Sequence, residues 1–139
     1  MFKKILIAND GSEGAARALS AAIKLAKEHA AELHMISVEE LPRFPASVDE
    51  VVEEKQEANH VYEGVKSRAV AQARAAGVTL TPHVVVGHPV TSIAEFVEQE
   101  GFGLLVVGYM GHSALYNRII GSTTDRLVEH APCNVLVVK

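Results

Sequence analysis

The sequence predicts a doubly wound α/β domain, a five-stranded parallel sheet of order 3-2-1-4-5 with helices on both faces. Short runs that are apolar at every position, such as Ile5-Leu6-Ile7-Ala8 and Leu104-Leu105-Val106-Val107, suit strands buried on two faces. They alternate with segments of helical period, which argues for parallel strands joined by right-handed crossovers. Pro82 inside the third apolar run cannot donate to a ladder, so that strand belongs at an edge.

Each element follows from its residues. Ile5 to Ala8 ends in Asn9-Asp10-Gly11-Ser12, and Ser12 can cap a helix carrying Leu19, Ile23 and Ala26 beside the small residues Ala15, Ala18 and Ala22. Leu33 to Val38 is the second strand. From Val48 to Ala76 the pattern turns helical, with Gly64 weakening it by roughly 1 kcal/mol relative to alanine, so one long helix with a soft start or two pieces is expected. The acidic stretch Asp49 to Glu57 reads as a solvated face or a flap. Val78 to Val86 is the third strand, Gly87-His88-Pro89 opens a helix with Val90, Ile93, Ala94 and Val97, and Leu104 to Val107 is the fourth strand. Thr123 to Ala131 and Val135 to Val138 supply the last helix and strand.

The 139 residues are about one domain's worth, with no repeat or interdomain linker, so residues 1–139 are expected to form a single domain. Thirteen basic against 17 acidic residues give a net charge of −4, which argues against nucleic acid as a partner. A single cysteine, Cys133, excludes an internal disulfide; its neighbours Ala131, Pro132 and Val135 suggest a small buried side chain. The apolar run after Met1-Phe2-Lys3-Lys4 is too short for a signal peptide or a membrane span. A soluble, cytoplasmic protein is the expectation.

In an open parallel sheet, ligands bind beyond the carboxyl ends of the strands where the strand order reverses. For the order 3-2-1-4-5 this point lies between strands one and four, which end at Asp10 and Gly108. Gly108 and Gly111 let backbone approach a ligand without an intervening Cβ. Gly121 places Ser122 and Thr123 at a helix start, where unpaired N–H groups and two hydroxyls can face an anion. Asp10 suits ribose hydroxyls or an adenine amino group, although an Asx-turn beside Gly11 explains it equally. Arg118 is either a phosphate partner or a surface residue.

Other chemistries lack their signatures. There is no Gly-x4-Gly-Lys-Ser/Thr and no Gly-x-Gly-x-x-Gly after the first strand. The seven histidines, among them His29, His34, His60 and His83, show no metal-ligand spacing with the one cysteine. Ser113 or Ser122 could act as a nucleophile only with His112 or His130 nearby as base, and no catalytic residue is assigned.

Three stretches together resemble the universal stress protein family: Ile5 to Ser12, the pattern Gly108-x2-Gly111-x9-Gly121-Ser122, and His130-Ala131-Pro132-Cys133-Asn134-Val135-Leu136-Val137-Val138. The resemblance covers essentially the whole chain, and the spaced glycines match the family's ATP-binding pattern. It implies that Ala8, Asn9, Asp10 and Val38 line an adenosine pocket, and that Val107, Gly108 and Gly111 cover ribose and phosphates. Gly121, Ser122 and Thr123 would hold the triphosphate, with Mg or Mn bound through it. It also implies a homodimer through the last strand, Val135 to Val138, whose exposed apolar edge calls for a partner in its own right. Tyr109 and Met110 depart from the family, which more often has a small hydroxyl residue and a basic residue or histidine there. The tyrosine can stack over a ligand, point away or fill the pocket. The resulting expectation is an ATP-binding, dimeric stress-response module, at most a weak ATP hydrolase; the alternative is a partner-recruiting module that uses no nucleotide.

Overall fold

The computed structural model describes residues 2–40, 48–109 and 122–139, with side chains except those of residues 48–60. Its element order is β1 (Lys4–Ala8), α1 (Glu13–His29), β2 (Glu32–Glu39), α2 (Val48–Ala75), β3 (Leu80–Val86), α3 (Pro89–Glu100), β4 (Leu104–Gly108), α4 (Ser122–His130) and β5 (Asn134–Val138). The strands form one parallel sheet of order β3-β2-β1-β4-β5, as the apolar runs and Pro82 require. Pro82 lies within β3 at the sheet edge.

Alternation along the central strands divides the core in two. Ile5 and Ile7 of β1 and Leu104 and Val106 of β4 pack with α1 and α2, where Ala18, Ala22, Ala26, Val65, Ala69 and Ala73 meet them. Leu6, Leu105 and Val107 face the opposite layer, with Ile93 and Val97 of α3 and Leu127 of α4. Both faces of β1 and β4 are therefore dry along Ile5 to Ile7 and Leu104 to Val107, which is why these stretches carry no polar residue.

Local chemistry sets the boundaries. The Ser12 hydroxyl accepts from the Ala15 N–H at 3.2 Å and caps α1, while Ala30 ends it in the left-handed conformation at φ 50°. Helix α2 is unbroken through Gly64, so the two-piece alternative is not realised. Strand β3 begins two residues later than expected. Gly77, at φ +80°, and Val78 send their N–H groups back to Arg74 and Ala73, and so close α2 before the chain can enter the sheet.

Gly108 differs from expectation in what its missing side chain makes room for. A Cβ there would lie 2.7 Å from the Gly14 carbonyl carbon and 3.1 Å from the Ala15 nitrogen. The glycine lets the first turn of α1 lie directly on the end of β4.

Candidate functional site

Between the carboxyl ends of β1 and β4 lies a cleft of about 300 Å³. Of the residues expected to form a site, Ala8, Asn9, Asp10, Val38, Val107, Gly108, Ser122 and Thr123 all line it. Gly111 and Gly121 lie outside the described residues, as do Met110, His112, Ser113 and Arg118.

The β1 side of the cleft is held by one backbone bond and three bonds between side chain and backbone. The Asn9 N–H reaches the Ile36 carbonyl at 2.9 Å, and the Ser37 hydroxyl donates to the Asn9 carbonyl at 2.7 Å. Asn9 Oδ1 then accepts from the Gly11 N–H and Asp10 Oδ1 from the Ser12 N–H, both at 2.9 Å. Gly11, at φ +83°, supplies the left-handed step this turn needs. Asp10 thus makes the Asx-turn that its neighbour Gly11 suggests and still lines the cleft.

On the β4 side, the Thr124 hydroxyl donates to the Gly108 carbonyl at 2.7 Å, tying the first turn of α4 to the strand end. Ser122 and Thr123 are exposed at that turn. The first N–H groups of a helix have no intrahelical partner, so this side offers donors and a positive dipole end. Asp10 and Glu40, by contrast, bring carboxylates to the β1–β2 side. The carboxylates thus stand on the β1–β2 side, where α1 also starts, and the α4 start stands on the β4 side.

The sequence did not point to Ser12, Ala15, Ile36, Glu40, Tyr62, Pro89, Ile93, Thr124 or Leu127, which also line the cleft. Most of them are the apolar floor and could be inferred only from the packed layers. Tyr62 reaches the cleft from α2, its hydroxyl 3.2 Å from the Val38 carbonyl. Burial, and then the carboxylates of Asp10, Glu40 and Glu39, push its phenol above the usual tyrosine range. Tyr109 does not line the cleft; its N–H pairs with the Val138 carbonyl and the Lys139 ammonium lies 5.5 Å from its ring centre. Of the three expectations for Tyr109, the structure shows it turned to the C-terminal edge.

The described lining includes no histidine, cysteine, lysine or arginine. His130 ends α4 whereas Ser122 begins it, about 12 Å apart at 1.5 Å per residue, so these two form no nucleophile–base pair. No group of three or more His, Cys, Asp or Glu among the described residues could hold a metal ion. Cys133 is half-buried against the α3–α4 layer, and burial pushes its thiol up, as befits a small apolar residue.

Two histidines that look scattered in sequence do meet. His34 Nδ1 and His83 Nε2 are 2.9 Å apart, the rings stack within 4° of parallel, and His34 Nε2 lies 3.0 Å from Glu32 Oε1. Phe96 and Phe102 pack against this pair. Only the β2–β3 register, Ile36 opposite His83, could have revealed it.

A doubly wound parallel sheet with an open cleft at its switch point defines a class of small-ligand-binding α/β domains. The Universal stress protein family model matches residues 1–139, and the chain belongs to that family. A universal stress protein of Methanocaldococcus jannaschii is 34% identical, the match covering all of this chain and 83% of that one. The solved universal stress protein UspA of Lactobacillus plantarum is 27% identical, with a TM-score of 0.88 over 99% of this chain and 98% of its own. A member from Arabidopsis thaliana, solved with AMP bound, shares the fold at 18% identity and a TM-score of 0.71, over 99% of this chain and 91% of its own. Among the described residues no helix is long and apolar enough to cross a membrane.

Proposed function

We propose that this chain is an ATP-binding universal stress protein that acts as a dimeric regulatory module of the cytoplasm, with residues 1–139 working as one domain. The observation that carries the reading is the arrangement of the cleft, with the carboxylate of Asp10 on the β1–β2 side and the α4 N-terminus on the β4 side. Adenosine lies toward Ala8, Asn9, Asp10 and Val38, where the carboxylate accepts from ribose hydroxyls. Val107, Gly108 and Gly111 cover ribose and phosphates, and Gly121, Ser122 and Thr123 hold the triphosphate. Reversed, the nucleotide would set its phosphates against Asp10 and Glu40, which like-charge repulsion disfavours. The AMP described for the Arabidopsis thaliana relative supports an adenine ligand. A divalent ion such as Mg or Mn, held through the phosphates, would neutralise their charge.

Binding and not turnover is the proposed activity, because the described lining offers no base beyond the acceptors Asp10 and Glu40. The exposed edge of β5, with Leu136 37% accessible, is the proposed seat of the second copy. Titration calorimetry with Mg-ATP tests the reading: saturable heat with one nucleotide per chain is expected. No heat and no thermal protection at millimolar nucleotide discards it.

A further inference from the structure

His34 and His83 take no part in the cleft, whose lining includes neither. Ile36 is the partner of His83 in the β2–β3 register, so His34, two residues earlier, lies on the same face of the sheet and diagonally across from it. Which nitrogen donates follows from Glu32. A carboxylate only accepts, so the 3.0 Å contact with Glu32 Oε1 puts the His34 proton on Nε2 and leaves Nδ1 bare. The bare nitrogen then accepts from His83 Nε2 at 2.9 Å. A carboxylate on the far nitrogen of an imidazole, with the near nitrogen's lone pair turned to an electrophile, is the support that metal-binding histidines commonly have.

We infer that His34 Nδ1 and His83 Nε2 form a two-imidazole site for a late divalent cation of tetragonal preference, Cu2+ foremost. Two metal–nitrogen bonds of about 2.0–2.1 Å meeting at a right angle span about 2.9 Å, the edge between neighbouring positions of a square-planar ion. The two nitrogens already stand at that spacing, whereas a tetrahedral ion such as Zn2+ needs them about 3.3 Å apart. Binding therefore asks the rings to tilt until their lone pairs converge beside the N···N line, and the strands need not part. His83 gives its Nε2 proton to water and takes one on Nδ1, so both rings stay neutral and no net proton is released. Glu32 holds the far side of His34 and is no ligand, which is why no group of three protein ligands forms here among the described residues; water fills the remaining positions. Phe96 and Phe102 pack against the two rings and limit their swing, while both histidines keep part of their surface open to solvent. Of the charges that bear on the pair, Glu32 and Glu100 favour a cation. Lys4, bonded to the Glu100 carbonyl and lying over the Phe102 ring, opposes it, which leaves one net negative charge.

The test uses the whole protein without nucleotide and, as probe, Cu2+ capped by one iminodiacetate, which leaves neighbouring positions for two imidazoles. One copper per chain is expected, and pulsed electron paramagnetic resonance should show two coupled imidazoles in the wild-type protein. That spectrum depends on no variant's folding. His83→Asn should bind at least roughly tenfold more weakly and show a single imidazole. Glu32→Ala should bind about tenfold more weakly with both imidazoles still coupled, the usual cost of losing the carboxylate behind a metal-bound histidine. Copper on one imidazole in the wild type, which is how an isolated surface histidine takes it, overturns the site. So does an unchanged affinity in His83→Asn or Glu32→Ala, and so does the absence of binding at millimolar copper.

Discussion

Thr124 and Gly108, sixteen residues apart, are joined by a 2.7 Å hydrogen bond from the threonine hydroxyl to the glycine carbonyl. Thr124 is buried at the first turn of α4 and Gly108 ends β4, so this bond sets the two walls of the donor end of the cleft against each other. Thr124→Val keeps the shape and leaves the Gly108 carbonyl unpaired, an expected loss of about 1–2 kcal/mol. Urea unfolding checks the stability; Thr124→Ser, which keeps the donor, should recover most of it. A valine variant as stable as the wild type would show the bond to be incidental.

Two glycine substitutions should act in opposite directions. Gly108→Ala drives a Cβ to within 2.7 Å of the Gly14 backbone, which can yield only by moving α1 off the sheet; overpacking of this kind costs about 1–3 kcal/mol. Gly64→Ala lies inside α2, and its Cβ meets only the far end of the Arg68 side chain at 3.0 Å. That flexible, exposed arm can step aside, so alanine should stabilise by up to about 1 kcal/mol. Thermal unfolding of both variants is the check, and a destabilised Gly64→Ala would contradict the expectation.

His83 should make the protein sensitive to mild acid. Burial lowers its affinity for a proton below the ordinary value of 6.5, and His34 and Lys4 add to this, with Glu100 opposing. Its folded pKa is depressed, so below pH 6.5 the unfolded chain binds the proton more readily than the folded one, and stability falls as pH falls. Above that pH the contribution is complete. Glu32 acts in a lower window: the hydrogen bond from His34 lowers its carboxyl below 4.5, so its contribution is present above 4.5 and is lost as pH falls through the lowered value. His83→Asn should therefore flatten the fall that begins at 6.5 and leave the decline below 4.5 in place. Urea midpoints measured across this range decide it; an unchanged profile in the variant rules out His83 as the source.

The sheet order was readable because it depends on local facts: runs apolar at every position, and one proline that bars its strand from the interior. The polar ends of strands one and four then marked the switch point, and eight of the ten residues named from that logic and the family resemblance line one cleft. What could not be read depends on register or on helix rotation. His34 and His83 are separated by all of α2, and only the pairing of β2 with β3 makes them neighbours. Tyr62 falls inside the helical segment Val48 to Ala76 with nothing in the sequence to set it apart, and its hydroxyl reaches the cleft because it meets the Val38 carbonyl at the end of β2. Gly108 was assigned to the ligand, whereas the atom it lacks faces Gly14.

That last contact has an evolutionary consequence. Selection for a close helix–strand contact acts on position 108 whether or not a ligand is ever bound. A descendant that lost its ligand would remain held to glycine there, while Ser122 and Asp10, exposed at the cleft, would be free to drift. Across a set of diverging sequences, position 108 would track ancestry of the fold, and the hydroxyl and the carboxylate would track retention of the ligand.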